Sequence, residues 1–238
     1  MTAQAPDSVA LNADYFAGDR YAHEIELDTF RKIGRAIERE VQGVELLLDV
    51  GNGGIFPYDT GLVERVAAVD LFLDRLPKAG FPANVTARAG DALDLDEPDA
   101  RYDAVLESLV YHHLVGADAD DMVANVRRAI GEAERVLKPG GRLIIAESCV
   151  PGWFYAIERR LFKGLVALSK TRLMSGHPPT IQIPFELLVS LVAERFEVDS
   201  AYKVPPGRWT TQFGRRWPMA LTPARAYVVV GRSRAGDG

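Results

Sequence analysis

Three short apolar runs in the first half of this 238-residue chain each end on residues suited to holding a polar ligand. Leu46 to Val50 runs into Gly51-Asn52-Gly53-Gly54, Val66 to Val69 runs into Asp70, and Asn84 to Ala89 runs into Gly90-Asp91-Ala92. Glycines just past a strand let the backbone come close to a ligand, and a helix start beyond them offers N–H groups. A carboxylate ending the second run can accept both hydroxyls of a ribose. One ending the third can accept from the amino group of an adenine, with Ala92 leaving room for the ring. Each feature alone also reads as a turn, a strand end or a helix cap. Two acids at two successive strand ends are harder to explain that way. A second chemistry stands at His112-His113, where an imidazole can take a proton from a hydroxyl or amine near neutral pH. The same pair can instead cap the next helix.

The elements that must position these residues follow from periodicity. Phe30, Ile33, Ile37 and Val41 recur at helical spacing, which predicts a helix over 23–42 with Asp28 as a cap and Gly43 as its stop. The continuous apolar run 46–50 reads as a strand buried on both faces of a parallel sheet. Residues 65–72, 84–89 and 102–109 read as the next three strands. Met122, Val126, Ala129, Ile130, Ala133, Val136 and Leu137 form one stripe of a helix over 118–137, stopped by Lys138-Pro139-Gly140-Gly141, and 142–148 is a fifth strand. Alternating strands and helices over 150 residues predict a doubly wound α/β sheet with helices on both faces.

Beyond residue 150 the rhythm changes. Residues 153–169 predict a cap helix, followed by the breaker Gly176-His177-Pro178-Pro179. Pro184 opens a helix to Arg195, with strands at 196–204 and 226–231. The 205–223 connection is long and aromatic, so Trp209, Phe213 and Trp217 are candidates to line a substrate site.

The domain reading is therefore an N-terminal lid and helix over 1–43, a binding core over 44–150, a cap or substrate-facing insertion over 151–183, and a completion of the sheet over 184–238. Asp14 to His23, with Tyr15, Phe16, Arg20 and Tyr21, reads as a lid, a surface arm or the contact of a homodimer.

Composition narrows the class. A hydrophobic content of 47% supports one sizeable core. Cys149 is the single cysteine, which excludes an internal disulfide and a cysteine-rich metal site and suits a reducing, cytoplasmic setting. No signal-peptide pattern or bilayer-length apolar run is present, so no stable membrane insertion is expected. The net charge of -5 argues against a nucleic-acid partner, although residues 1–150 carry 15 Lys and Arg against 27 Asp and Glu while residues 151–218 carry 10 against 5. That basic segment reads as solvated side chains on the cap helix, or as a complement to an anionic substrate, an acidic carrier or a lipid headgroup. Asp118, Asp120 and Asp121 cluster where acids complement a helix dipole, and no metal is expected.

Leu48-Asp49-Val50-Gly51-Asn52-Gly53, Ala68-Val69-Asp70, Gly90-Asp91-Ala92, Tyr102-Asp103-Ala104-Val105 leading to His112-His113-Leu114, and Arg135 to Gly141 occur in this order. In that combination the chain resembles the class I S-adenosylmethionine-dependent methyltransferases over roughly 44–148, and more loosely to 231. The resemblance implies a seven-stranded, mostly parallel Rossmann-like sheet with an antiparallel last strand and a cap insertion after the fifth. It implies that Gly51 and Gly53, with Asn52 between them, approach the methionine moiety of S-adenosyl-L-methionine, and that Asp49 holds the loop and the cofactor's amino group. Asp70 would hold the ribose, Leu71 would lie on adenine, Gly90-Asp91-Ala92 would hold its edge, and Glu107 and Ser108 would run beside the methionine portion.

The family's third glycine is replaced by Ile55, and the bulkier loop that follows brings Phe56 and Tyr58 forward as substrate-facing candidates beside Trp209 and His177. His113 and His112 are the candidate bases. Glu107-Ser108-Leu109-Val110 stands where nucleic-acid amino methyltransferases carry an Asn/Asp-Pro-Pro-aromatic motif. A small-molecule acceptor, methylated on O, N or C, is the expectation. The rivals are a nicotinamide-dependent oxidoreductase, which needs a small residue where Phe56 stands, and a non-catalytic S-adenosylmethionine-binding protein.

Overall fold

The computed structural model describes residues 27–73, 80–169, 180–212 and 215–234. The proposed arm at 14–23, the breaker containing His177, and Phe213 lie outside the described residues. Nine strands appear among the described residues: β1 (Leu46–Val50), β2 (Arg65–Asp70), β3 (Val85–Ala89), β4 (Tyr102–Ser108), β5 (Leu137–Cys149), β6 (Phe196–Lys203), β7 (Trp209–Gln212), β8 (Arg215–Pro218) and β9 (Arg225–Ser233). The helices are α1 (Asp28–Val41), α2 (Ala119–Val136), α3 (Gly152–Ser169) and α4 (Phe185–Ala193).

Seven strands form one sheet in the order β3-β2-β1-β4-β5-β9-β6. β1 to β5 run parallel, and β9 pairs antiparallel with both β5 and β6. The expected doubly wound sheet with an antiparallel last strand is therefore present. Because successive side chains point to opposite faces, neighbours in one strand serve two cores. Leu48, Val105 and Ile145 pack with Met122, Val126 and Ile130 of α2 and Leu188 and Leu191 of α4. Leu47, Leu106 and Ile144 pack with Ile33, Ile37 and Val41 of α1.

Register fixes where the ligand-binding residues stand. Val50 pairs with Val69 on one side and Glu107 on the other, and Asp70 pairs with Ala89. Gly51, Asp70, Gly90 and Ser108 consequently emerge at one carboxyl edge, where an open α/β sheet binds ligands.

Other residues of the recognised pattern act at a distance from that edge. Arg135 donates to the carbonyls of Leu95 (2.8 Å) and Glu97 (2.7 Å), pinning the loop after β3. Lys138 pairs with Asp103 at 2.6 Å, and the other oxygen of Asp103 accepts Leu46 N–H at 3.0 Å.

Some expectations need correction. Leu27, not Asp28, occupies the cap of α1, because the Asp28 carboxylate is taken by the backbone N–H of Arg208 (2.6 Å) and Trp209 (3.2 Å). The 205–223 stretch contains a hairpin, Trp209 pairing with Pro218 and Gln212 with Arg215, where a long loop was expected. Asp118 caps α2, its side chain accepting the N–H groups of Asp120 and Asp121. Two cations of the basic segment face acids of the core, Arg159 on Asp120 at 2.8 Å and Arg195 on Glu134 at 2.6 Å. Among the described residues no helix is long and apolar enough to cross a membrane.

Candidate functional site

At the carboxyl edge the glycines are dictated by space. Gly51 has φ +73°, and a Cβ there would lie 2.4 Å from Val110 Cγ2. A Cβ on Gly90 would lie 2.5 Å from Val69 Cγ1. Asp70, buried at the end of β2, joins two loops: Gly53 N–H donates to Oδ2 at 2.8 Å and Phe72 N–H to Oδ1 at 2.7 Å. Burial pushes its carboxyl pKa upward while those two amides pull it down. Each carboxylate oxygen accepts more than one donor, so Asp70 retains capacity toward a ligand. An open cleft lies here, lined by Gly51, Val69 to Phe72, Gly90 to Ala92, Val110, His113 and Leu114. It brings together seven residues expected from the sequence: Gly51, Asp70, Leu71, Gly90, Asp91, Ala92 and His113.

Asp49, Asn52, Gly53, Glu107 and Ser108 lie outside that lining. Asp49 is fully buried, and its Oδ2 accepts the Tyr58 hydroxyl at 2.7 Å. Tyr58 is therefore a buried strut under the glycine loop, which corrects its expected place facing substrate. Phe56 packs edge-on against Tyr58 (6.1 Å) and Phe81 (6.3 Å), one residue after Ile55, where the glycine pattern lapses. Asp59 caps the short turn of helix Thr60–Leu62 that follows. Trp209 stands on the hairpin, tied to α1 by the Thr29 hydroxyl on its carbonyl at 2.6 Å, with Arg216 over its ring at 4.7 Å. It is not among the residues that line the cleft.

Burial lifts the Asp49 pKa to about 7, with Asp70 adding to the rise. A pKa raised above the unfolded value of about 4 favours folding of the protonated form. That stability is complete below about pH 4 and is lost as pH rises through about 7. Asp49→Asn, neutral throughout, is expected to make the fall in melting temperature between pH 5 and 8 shallower than in the wild type. Equal slopes in thermal scans would contradict this.

On the far side of β4 a second polar cluster appears. Leu109 adopts φ +56°, a left-handed turn costing roughly 1–2 kcal/mol for an L-residue, and is held by its N–H on Ala146 O at 2.8 Å. The turn sends Val110 over Gly51 and folds Tyr111-His112 back toward β5. Glu147 on β5 accepts Tyr111 N–H (2.8 Å), Ser148 N–H (2.7 Å) and His112 Nδ1 (2.8 Å). The Tyr111 hydroxyl donates to Glu107, whose pKa burial raises to about 7 with help from nearby Glu147. Glu107 is thus a buried partner of Tyr111. His113 lines the cleft while His112 meets Glu147, and the two imidazole rings lie against each other with centroids 4.2 Å apart.

Glu147 was not singled out from the sequence. Its available signal was an acid following the apolar run Leu143-Ile144-Ile145, since a carboxylate in a buried strand needs partners. From α3, Glu158 adds a buried Oε2 without a hydrogen-bond partner among the described residues, and burial lifts its pKa to about 7.

These residues fit an adenosine that carries an amino acid. Asp49 Oδ1 and Asn52 Nδ2 are buried side by side, each short of a full partner among the described residues, with the Asn52 amide offsetting part of the burial-driven rise in the Asp49 pKa, and a carboxylate so placed suits an ammonium ligand. The two glycines clear the space a Cβ would fill. Asp70 and Asp91 stand at consecutive strand ends within one cleft.

Comparison with known proteins agrees. Residues 48–145 match the family described as methyltransferase domain. The demethylmenaquinone methyltransferase of Tropheryma whipplei (strain Twist) is 31% identical over 163 residues, covering 65% of this chain and 62% of that protein. The chain thus spans less than two thirds of that relative. Among solved structures, the N-methyltransferase NodS of Bradyrhizobium japonicum WM9, in complex with S-adenosyl-L-homocysteine, superposes with a TM-score of 0.57 at 15% identity, covering 94% of this chain and 97% of that one. A SAM-dependent methyltransferase from Methanosarcina mazei gives 0.57 at 18% identity, covering 84% and 97%. At such identities the structural matches establish the fold.

Proposed function

This chain belongs to the class I S-adenosylmethionine-dependent methyltransferase superfamily, and from that premise we propose that it transfers a methyl group from S-adenosylmethionine to a nucleophile on a small molecule. The observation that carries the reading is Asp70, which ties the loops after β1 and β2 into one cleft with Gly51, Gly90 and Asp91.

The cofactor, when bound, supplies an electrophilic methyl on a sulfonium. The chain's own residues do the rest. Asp70 holds a ribose and Asp91 an adenine edge, with Leu71 and Ala92 against the ring. Asp49, beneath the glycine loop, presents Oδ1 to an ammonium. In-line displacement gains chiefly from holding the nucleophile close and dry, and α3, which follows β5 in the chain, would be the element to cover the acceptor. Its Glu158 Oε2 can accept from a hydroxyl or amine of that acceptor. Phe56, seated among aromatic rings where a dinucleotide site needs a small residue, disfavours the nicotinamide reading. A setting in the reducing cytoplasm suits the single buried cysteine.

The test is transfer of labelled methyl from S-adenosylmethionine to a panel of acceptors. A demethylmenaquinone heads the panel because the Tropheryma whipplei relative carries that name. Phenols, amines and carboxylic acids follow. Label in an acceptor that is lost in Asp70→Ala supports the proposal. Binding of NADH in preference to S-adenosylmethionine would sink it, and tight cofactor binding with no transfer to any acceptor would favour the non-catalytic reading.

A further inference from the structure

We propose that the end of the molecule carrying α3 and the β7–β8 hairpin is a docking surface for an anionic lipid bilayer. This goes beyond the methyl-transfer reading, and its test needs no methyl acceptor.

The topology brings both elements to one edge. β9 pairs antiparallel with β5 and with β6, so those two strands point the same way, and their last residues, Cys149 and Lys203, stand opposite Arg225 and Tyr227. α3 begins just past Cys149 and the 205–224 connection just past Lys203, both beyond that carboxyl edge. Of seven large apolar side chains exposed among the described residues, five stand on these two segments. They are Trp153 (65%), Ile157 (49%) and Leu161 (55%) on α3, Trp217 (41%) on β8 and Leu221 (72%) in the turn after it. The three on α3 recur every fourth residue, which aligns them in one outward stripe, while Phe162 is buried in the core. A helix with water on its outer face is polar there.

Charge selects the partner. Residues 203–225 carry five Lys and Arg and no acid, in a chain of net charge -5. α3 carries Arg159, Arg160 and Lys163 against one acid, Glu158, whose Oε2 is buried. Arg159 is taken by Asp120 at 2.8 Å and Lys163 lies near Asp118, yet Arg160, Arg208 and Arg216 are exposed as well. A second copy docked through the same face would set these cations against each other across an apolar seam. Lipid phosphates neutralise them instead, while the apolar side chains enter the acyl boundary, where tryptophan is favoured. Among the described residues no helix can cross a bilayer, so the association is peripheral.

Flotation of the full chain with vesicles tests this, using phosphatidylcholine alone and an equal mixture of phosphatidylcholine and phosphatidylglycerol. The protein is expected to bind the anionic vesicles at least tenfold more tightly than the neutral ones and to be released as salt is raised. Ile157→Ser with Leu161→Ser removes most of the α3 stripe, Trp217→Ser with Leu221→Ser removes the apolar side chains of the hairpin segment, and Arg160→Glu with Lys163→Glu reverses charge on α3. Each pair is expected to weaken binding at least tenfold with the melting temperature held, since all six side chains are exposed. Absence of binding to anionic vesicles at low salt would overturn the proposal, as would equal binding to neutral vesicles or full binding by any of the three folded variants. A dimer in sedimentation that Ile157→Ser with Leu161→Ser dissolves, with no vesicle binding by the wild type, would assign the stripe to a second copy and overturn it too.

Discussion

Replacing Asp70 with alanine is expected to weaken binding of S-adenosylhomocysteine at least 100-fold and to lower the melting temperature of the ligand-free protein. The side chain accepts Gly53 N–H at 2.8 Å and Phe72 N–H at 2.7 Å, so its removal orphans one amide in each of two loops. Hydrogen bonds to a charged group contribute about 1.5–3 kcal/mol each, and part of the loss is desolvation of the donors left behind. The ribose acceptor goes with them. Asp70→Asn separates these effects, since its oxygen satisfies one amide while its NH₂ faces the other. It should fall between wild type and alanine in both calorimetric affinity and thermal stability. An alanine variant with affinity within threefold of wild type would remove Asp70 from the site.

Gly51→Ala is the second large effect expected. The positive φ of +73° costs an L-residue roughly 1–2 kcal/mol, and the new methyl meets Val110 Cγ2 at 2.4 Å. Either the glycine loop or the Val110 segment must shift, and both line the cleft. A loss of cofactor affinity of about 100-fold is expected. Adding Val110→Ala removes the 2.4 Å contact and leaves the 3.0 Å approach to Cβ and the strain, so the double variant should recover part of the loss and retain a deficit on the order of tenfold, as about 1.4 kcal/mol implies. Calorimetric titration of the three variants checks the order. A Gly51→Ala protein that binds like wild type would show that the backbone here does not need this shape.

How far the site could be read from the sequence depended on which contacts each residue makes. Gly51, Asp70, Leu71 and Gly90-Asp91-Ala92 follow apolar runs that had to be adjacent parallel strands, so their meeting at one edge follows from the pattern of strands alone. The pairing of Glu147 with His112 depends on the β4–β5 register, in which Ser108 stands beside Ala146, and on the left-handed turn at Leu109. No local periodicity encodes either. Tyr58 pointed inward because a buried carboxylate, Asp49, needed a donor, a tertiary demand invisible in the loop's own residues. Asp28 had the residue type and place of a helix cap, yet two amides of a distant hairpin compete for it. That hairpin itself was hidden in short, polar strands lacking the apolar alternation by which strands are recognised.

The central claim is that the cleft over β1, β2 and β3 holds S-adenosylmethionine, and a crystal structure of the protein with S-adenosylhomocysteine tests it most directly. The account predicts the ribose hydroxyls on Asp70, the adenine between Leu71 and Ala92 with its amino group toward Asp91, and the amino-acid end over Gly51 toward Asp49. Density for the ligand elsewhere, or a ribose that does not touch Asp70, would contradict it.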